Sequence, residues 1–250
     1  MVKTEEQIKK IRIAGKILAG ISRQIEKIIK EGTVLKEIDK LVERLITEAG
    51  AKPAFLGYQP GGAEKPFPAS ICASINEVVV HGIPGDYRLQ SGDLLKLDFG
   101  VDYKGGIADG AFTMGIGKIS KEANQLMEVT RGALMAGIRE CRQNKTTGDI
   151  GWAINNYVKK HGFKVVKGLT GHGVGTELHE EPTIFNEGQK NSGILLKEGM
   201  VLAIEPMVSA GTPYLIQLPD ESYATKDKSL SAHFEHTILI NKKDPEILTK

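Results

Sequence analysis

The most constraining feature of the chain is a predicted β-hairpin that carries two aspartates. Residues 95–110 read LKLDFGVDYKGGIADG, in which an apolar run meets a Lys-Gly-Gly turn and then returns. Asp98 and Asp109 lie in the two arms, and the hairpin would place them roughly opposite each other. Aspartate is uncommon in strands, and like charges on facing strands repel. The pair therefore needs a group that compensates its charge.

Two kinds of group could compensate this pair. An unpaired buried carboxylate is costly, and the usual remedies are protonation, a basic partner or a metal ion. Lys96 and Lys104 are the basic residues of the hairpin, and Lys96 shares strand parity with Asp98, so an ordinary salt bridge is one interpretation. A metal ion is the other. The hairpin alone leaves both open, with the metal favoured.

Two further acids stand in apolar strands nearer the C-terminus, and a histidine stands between glycines. Glu205 lies in VLAIEPMV, Glu235 in SAHFEHTILI and His172 in GHGVGTELHEEP. Four carboxylates exceed the charge that one divalent ion needs, whereas bridging carboxylates suit paired ions about 3.5–4 Å apart. Mixed oxygen and nitrogen ligands suit Mn, Fe, Co or Zn. The residues alone therefore predict a dinuclear metallohydrolase.

The spacing of apolar residues predicts two rounds of helices followed by strands. A Thr4–Gln7 capping box opens a helix that ends by Gly32, and Thr33 is predicted to cap a second helix that stops at Gly50. The other predicted helices are 121–142 and 147–161. A long loop is expected at 53–70, and strands are expected at 71–75, 78–81, 94–102, 107–114, 164–166, 200–208, 213–217 and 232–240. Pro206 is expected to halt strand pairing within the range 200–208.

A short self-match suggests an internal repeat. SGDLLKLD (91–98) resembles EGMVLAIE (198–205), since each has a glycine, an apolar strand and an acid six residues after the glycine. The repeat would divide a single domain, 1–250, into similar α+β halves of roughly 1–118 and 119–250. Acids at matching strand ends would then face a central cleft.

Composition and local patterns exclude several other classes of protein. The net charge of +2 does not indicate the excess of basic residues that is typical of nucleic-acid-binding proteins. No apolar stretch approaches the ~20 residues that a membrane span needs. The first ten residues show no signal peptide, and Cys72 and Cys141 form no disulfide framework, so a cytoplasmic protein is expected. GHGVG could be a phosphate loop, but the following TELHEEP does not form a helical pattern.

Over nearly its full length the chain resembles the type I methionine aminopeptidases of the pita-bread fold. The blocks that carry the resemblance stand in family order: SINEVVVHGIP (74–84), LDFGVDYKGGIADGAFTMGIG (97–117), GHGVGTELHEEP (171–182), AIEPMV (203–208) and TKDKSLSAHFEHTILI (225–240). The resemblance implies an α+β fold of two pseudo-symmetric halves, with antiparallel sheet covered by helices. It implies removal of the initiator methionine from nascent polypeptides by a hydroxide held between two metal ions.

The resemblance also implies a ligand set for two divalent ions (Co, Mn, Fe or Zn): Asp98, Asp109, His172, Glu205 and Glu235. Asp109 and Glu235 would bridge the ions, Asp98 would complete one site, and His172 with Glu205 would complete the other. A monovalent cation is further implied near Asn76, Val78 and Ser231.

Catalytic and substrate-binding roles follow from the same resemblance. Glu205 would shuttle a proton from the attacking water to the leaving amine. His179 would stabilise the oxyanion, and His81 would hydrogen-bond near the scissile nitrogen. The methionine pocket would include Tyr58, Phe67 and Cys72, with Phe55 and Leu178 nearby. The last two differ from the residues usual in the family, and the loop after Tyr58 is longer than usual.

The expected partners are polypeptides with an N-terminal methionine, and the ribosome is a candidate partner. No nucleic-acid or membrane partner is expected, and a monomer is expected. A prolidase or aminopeptidase P is the main alternative, although either would be expected to need a longer N-terminal domain than this chain holds. A binding module that had lost catalysis would be expected to lack one of the five ligands.

Overall fold

The computed structural model describes residues 2–59, 61 and 64–250. Its helices are α1 (Glu5–Ile28), α2 (Leu35–Glu48), α3 (Lys121–Glu140) and α4 (Thr147–Lys160). Its strands are β1 (Lys52–Pro53), β2 (Cys72–Ile75), β3 (Val78–Val80), β4 (Leu94–Tyr103), β5 (Gly106–Gly115), β6 (Lys164–Val165), β7 (Thr170–Gly173), β8 (Glu180–Phe185), β9 (Val201–Ile204), β10 (Met207–Ser209), β11 (Leu215–Gln217), β12 (Tyr223–Thr225), β13 (Ser231–His233), β14 (His236–Leu239) and β15 (Glu246–Ile247). The lengthened loop after Tyr58 includes Pro60, Gly62 and Ala63, which lie outside the described residues.

These strands form antiparallel sheets that helices cover. In the first sheet β4 pairs along its length with β5, and on its other edge with β1 and β2. The largest sheet has the order β15–β14–β9–β7–β8, and the smaller ones have the orders β13–β10–β6 and β11–β12–β3. α1 packs on β4 and β5, whereas α3 and α4 pack on each other and on strands of the second half. The predicted α+β class is confirmed, and the single domain with an internal repeat stays a prediction.

The first helix begins at the predicted cap, but the second does not. Thr4 Oγ1 accepts from Gln7 N at 3.2 Å, and the Gln7 side chain accepts from Thr4 N at 2.8 Å, which completes the capping box. At α2 the N-cap is Val34, which offers no side-chain hydrogen bond. Thr33 Oγ1 accepts instead from Lys30 N at 3.2 Å. The Thr33 cap was wrong because this hydroxyl closes the turn between the two helices.

The hairpin offsets its two aspartates instead of placing them opposite each other. The chain turns through Lys104 and Gly105, whose φ angles of 53° and 80° suit a two-residue turn of the primed type. The resulting register pairs Asp98 with Ala111, which lies two residues from Asp109 on the same face. The predicted facing arrangement was therefore wrong. A diagonal pair on one face lets both carboxylates reach the same space while their backbones stay further apart.

Two of the predicted strands are each divided in two beside a glutamate. The range 200–208 becomes β9 and β10 on either side of Glu205-Pro206, and the range 232–240 becomes β13 and β14 on either side of Glu235. β9 pairs with β14 in one sheet, whereas β10 pairs with β13 in another. Both chain segments therefore cross between the same two sheets. Pro206, which has no N–H group, ends the ladder there as expected, and the two glutamates lie at the crossing.

Strand β7, which contains the first three residues of the GHGVG segment, and strand β8 after the segment were not predicted. The segment is rich in glycine, a residue that is uncommon in strands. Glycine is nevertheless required at Gly171 and Gly173, because backbone atoms of neighbouring strands lie very close to them. A Cβ at Gly173 would lie 2.8 Å from the Glu181 carbonyl carbon of β8, and one at Gly171 would meet the Ala203 carbonyl oxygen of β9. The segment continues into β8 and not into a helix, so the phosphate-loop alternative is wrong.

Most of the apolar core lies between the helices and the sheets. A separate apolar cluster consists of buried Phe55, Cys72 and Leu178, with Tyr58 and Phe67 packed against it. Within the described residues, none of the helices combines sufficient length with the apolar character that crossing a membrane requires.

Candidate metal centre

One cavity gathers every residue that the sequence proposes for the site. Its lining includes Tyr58, Phe67, Cys72, His81, Asp98, Asp109, His172, His179, Glu205 and Glu235. These residues come from strands of both large sheets and from the segments that connect strands, so the cavity lies where the two large sheets meet.

Three of the four acids, with His172 and His233, form two overlapping groups at the floor of this cavity, whereas Asp98 belongs to neither group. One ligand atom each from Asp109, His172 and Glu235 lie within 4.8 Å of one another, and the same holds for Glu205, His233 and Glu235. His172 Nε2 lies 3.9 Å from Asp109 Oδ2 and 3.4 Å from Glu205 Oε1. Glu235 belongs to both groups, so its carboxylate can serve two ions at once.

The acids at this floor cannot all be ionised without added positive charge. Burial and then the neighbouring Asp109 raise the pKa of Asp98, and burial followed by the other acids raises the pKa of Glu205 and of Glu235. Burial raises the pKa of Asp109 to about 7, although Gly110 N donates to its Oδ1. Among the described residues, Asp98 Oδ1 and Glu235 Oε1 are buried without a hydrogen-bond partner. Such carboxylates fit divalent ions, which hold them ionised and take up the unpaired oxygens.

His172 is held in the form that binds a metal. Burial lowers the pKa of His172 to about 4, so the ring is neutral near pH 7. Its Nδ1 lies 2.9 Å from the Gly173 carbonyl oxygen and donates to it, which leaves the lone pair of Nε2 facing Asp109 and Glu205. A ring nitrogen fixed in this way by a carbonyl is the usual arrangement of a metal-binding histidine.

The rings of Tyr58 and His179 lie in contact with each other in the same cavity. The Tyr58 hydroxyl lies 2.7 Å from His179 Nδ1, and the centroids of the His172 and His179 rings are 4.4 Å apart. Desolvation of the ring, followed by the neighbouring His172 and His81, lowers the pKa of His179 to about 3. His179 is therefore a neutral imidazole near pH 7. When the Tyr58 hydroxyl donates to Nδ1, Nε2 carries the hydrogen and is available as a donor.

The apolar cluster adjoins the acids directly. Cys72 on β2 pairs with Asp98 on β4, and Phe55 and Phe67 pack edge to face with centroids 6.4 Å apart. Burial, followed by the charge of Asp98, raises the pKa of Cys72, which keeps it a thiol. An apolar side chain bound against this cluster would therefore place its own backbone beside the carboxylates.

Comparison with known proteins identifies the family. The model of metallopeptidase family M24 matches residues 9–242. The chain belongs to metallopeptidase family M24. The methionine aminopeptidase of Aquifex aeolicus is 41% identical to this chain, over 99% of this chain and 97% of its own length.

Solved structures of similar proteins confirm the pita-bread fold. The methionine aminopeptidase of Rickettsia prowazekii has a TM-score of 0.95 and 39% identity, covering 100% of this chain and 99% of its own. The prolidase of Pyrococcus furiosus has a TM-score of 0.80 and 26% identity, covering 100% of this chain and 65% of its own.

In this M24 chain the salt bridge considered for Lys96 is wrong. Lys96 is buried, and its Nζ donates to Asn76 O at 2.7 Å, to Ser231 O at 3.2 Å and to Ser231 Oγ at 3.3 Å. Throughout the described residues no carboxylate lies within ion-pair distance of Nζ. Burial lowers the pKa of Lys96 to about 7, against the opposing charges of Glu77 and Asp93. Lys96 therefore does not compensate the aspartates, even though it shares their face.

The monovalent cation implied near Asn76, Val78 and Ser231 does not fit this structure. The Lys96 ammonium contacts the oxygens of Asn76 and Ser231, and the Val78 carbonyl faces Ser231 Oγ at 3.4 Å. A free cation would have to share these oxygens with a positively charged group.

His233 is a candidate site residue that the sequence interpretation missed. Its ring is buried, Nε2 lies 3.4 Å from Glu205 Oε2, and burial lowers the pKa of His233 to about 3. Thr113 Oγ1 accepts from His233 N at 2.9 Å and fixes its backbone. The period-two spacing of His233 and Glu235 in SAHFEH was a signal that could have drawn attention to it.

Proposed function

We propose that this chain is a methionine aminopeptidase, a metal-dependent hydrolase that removes the N-terminal methionine from new polypeptides. The observation that carries the proposal is a floor of four carboxylates, two buried and two half-buried, with a neutral imidazole directly beside an apolar cluster. Hydrolysis of a terminal residue needs both parts, since one must hold the reacting bond and the other must select the side chain.

The ligands proposed for two divalent ions are Asp98, Asp109, His172, Glu205 and Glu235. Asp109 and Glu235 are the proposed bridging residues, which the membership of Glu235 in both groups supports. The bound ions would polarise the scissile carbonyl and lower the pKa of a water molecule. Co, Mn, Fe and Zn all suit this donor set.

The proton transfers are assigned to residues of the cavity. Burial and the neighbouring acids raise the pKa of Glu205, which suits it to accept a proton from water and deliver it to the leaving amine. His179, neutral and contacted at Nδ1 by Tyr58, donates from Nε2 to the carbonyl oxygen as negative charge develops there. His81 lines the same cavity and is assigned a hydrogen bond near the scissile nitrogen.

The apolar cluster is assigned to the methionine side chain, with Tyr58, Phe67 and Cys72 as its contacts. An unbranched thioether adapts to an irregular pocket and contacts aromatic rings favourably. The ions that the neighbouring carboxylates would hold would bind a free, neutral α-amine. A blocked N-terminus would lose this interaction, so cleavage is expected only at the first residue.

A peptide assay tests the proposal. Protein loaded with Mn or Co is expected to release methionine from Met-Ala-Ser, and to leave the N-acetylated peptide intact. His172→Ala is expected to abolish release and to lower metal content, whereas the exposed His161→Ala is expected to preserve both. Release from both peptides alike, or unchanged metal content in His172→Ala, would contradict the assigned roles.

A prolidase activity is the second candidate, because the Pyrococcus furiosus prolidase shares the fold. A dipeptide with proline in second position distinguishes the two. Turnover of the Xaa-Pro dipeptide with no release of methionine from Met-Ala-Ser would replace the proposal by this alternative.

A further inference from the structure

Lys96 is a fully buried lysine whose charged end contacts oxygens other than carboxylates. Its residue exposure is 1%, and its ammonium donates to Asn76 O, Ser231 O and Ser231 Oγ, which we call the oxygen cluster. An ammonium has three N–H donors and no acceptor. The number of donors therefore matches the number of oxygens.

The oxygen cluster is fixed by its own hydrogen bonds. Asn76 adopts a φ of 51°, its Nδ2 donates to Asp93 Oδ1 at 3.0 Å, and its Oδ1 accepts from Leu94 N at 2.9 Å. Ser231 N and Ser231 Oγ each donate to Asn76 O, at 3.1 and 3.0 Å. These contacts point the oxygens at one place before any cation is considered.

Neutral oxygens that converge in a buried place attract one positive charge. Carbonyl oxygens arranged in this way replace the hydration shell of a monovalent ion. Here the charge that meets them is covalently part of β4. Asn76 O would keep its two donors from Ser231, but removal of the ammonium would take a charged donor from each buried oxygen and leave room in the oxygen cluster for another cation.

We propose that Lys96 is a built-in replacement for a monovalent cation, and that it positions the strands that carry the candidate metal ligands. Lys96 lies two residues before Asp98 on the same face of β4. Ser231 begins β13, which leads through His233 to Glu235. The ammonium thus joins the first half of the molecule to the second beside both ligands. Only this positioning consequence rests on the proposed function.

The decisive comparison uses Lys96→Ser, which opens room for an ion, and Lys96→Met, which fills the space without charge. Lys104→Met, at the exposed turn of the same hairpin, is the matched control. Thermal unfolding of metal-free protein is measured in NaCl, KCl and choline chloride at equal ionic strength. Choline is too large for the oxygen cluster, so it reports the general effect of salt.

Wild type and Lys104→Met are expected to unfold at the same temperature in all three salts. Lys96→Ser and Lys96→Met are expected to unfold about 5–10 °C lower in choline chloride, because each buried oxygen of the cluster loses a charged donor. NaCl or KCl is expected to restore at least half of that loss in Lys96→Ser, saturably, and none in Lys96→Met. Binding of ²³Na⁺ followed by NMR should appear in Lys96→Ser only.

Specific stabilisation of wild type by Na⁺ or K⁺ would overturn the proposal, as would equal behaviour of Lys96→Ser in all salts. If Lys96→Ser does not fold, specific ²³Na⁺ binding by wild type still overturns the proposal, and an unfolding temperature of Lys96→Met equal to that of wild type does so too.

The positioning role predicts that Lys96→Ser cleaves Met-Ala-Ser about tenfold more slowly in choline chloride and regains its kcat in KCl. If wild type does not cleave this peptide, the proposed function fails while the unfolding and NMR results still decide the cation question.

Discussion

Each carboxylate oxygen of Glu205 lies near a histidine side chain. His172 Nε2 lies 3.4 Å from Oε1, and His233 Nε2 lies 3.4 Å from Oε2. A carboxylate contacted on both oxygens has its plane and its rotamer restricted. His172 and Glu205 are proposed metal ligands, and His233, which lies near the other oxygen of Glu205, can orient it.

We expect His233→Ala to lower the affinity for divalent metal about 10- to 100-fold, the usual effect of removing a group that orients a ligand. His233→Gln keeps a hydrogen-bond donor and should retain most of the affinity. Titration against a competing chelator measures the change, and kcat at saturating metal separates binding from chemistry. Equal metal affinity in His233→Ala and wild type would contradict an orienting role.

At single residues, the sequence predicted which acids share the cavity but not what surrounds them. Asp98, Glu205 and Glu235 each interrupt an apolar run, and this conflict with strand preference is visible without a structure. The partners of Lys96 are not visible, because Asn76 and Ser231 lie 20 and 135 positions away along the chain. Strand parity predicts the face of a side chain and nothing about the strand that packs against that face.

Helix α1 carries two glycines with opposite surroundings. A Cβ at Gly15 would lie 2.7 Å from the Leu248 carbonyl carbon, whereas one at Gly20 would meet nothing within 4 Å. Arg12 in the same helix holds Glu246 of β15 through two hydrogen bonds of 2.7 and 2.8 Å. Gly15 therefore lets the C-terminal segment lie directly on α1, and Gly20 has no such role.

We expect Gly15→Ala to destabilise the protein by about 1–3 kcal/mol, because the added methyl group forces the Leu248 backbone away. Gly20→Ala should stabilise it by up to about 1 kcal/mol, the gain in helix propensity. Urea unfolding of both variants measures the difference. A change of the same sign in the free energy of unfolding of both variants would show that the close approach at Gly15 does not affect stability.

Strands that a local alternation of apolar residues defines were predicted well, whereas strands whose halves pair in different sheets were not. The ranges 94–102 and 107–114 match β4 and β5 closely, because apolar alternation and a turn define them. The strands 200–208 and 232–240 break at Glu205 and Glu235, because their halves pair in different sheets. Sheet membership depends on partners far along the chain, which local periodicity does not encode.

Over the whole molecule, the N-terminus is tied to the loop that carries His179. Lys3 Nζ forms an ion pair with Glu180 Oε2, and both side chains are buried, at 3% and 10% exposure. Glu180 Oε1 accepts from Thr176 N at 2.7 Å and from Glu177 N at 3.0 Å. A contact between residues 177 positions apart thus orders the loop beside the candidate active site.

This contact predicts a pH-dependent stability. Despite the opposing effect of burial, the hydrogen bonds from Lys3 and the loop lower the pKa of Glu180 to about 2, from a usual value near 4.5. A carboxyl group whose pKa is lower in the folded state stabilises the fold above its unfolded pKa, and this contribution is lost as the pH falls through the folded pKa.

We therefore expect Glu180→Gln to cost about 2–3 kcal/mol at pH 7, and the difference from wild type to shrink between about pH 4.5 and pH 2. Glu181→Gln, at the exposed neighbouring position, should cost little at any pH. The free energy of unfolding of metal-free protein, measured in urea from pH 7 to pH 3, gives both differences. A Glu180→Gln difference that stays constant down to pH 3 would mean that packing of the side chain, and not its charge, holds the loop to the N-terminus.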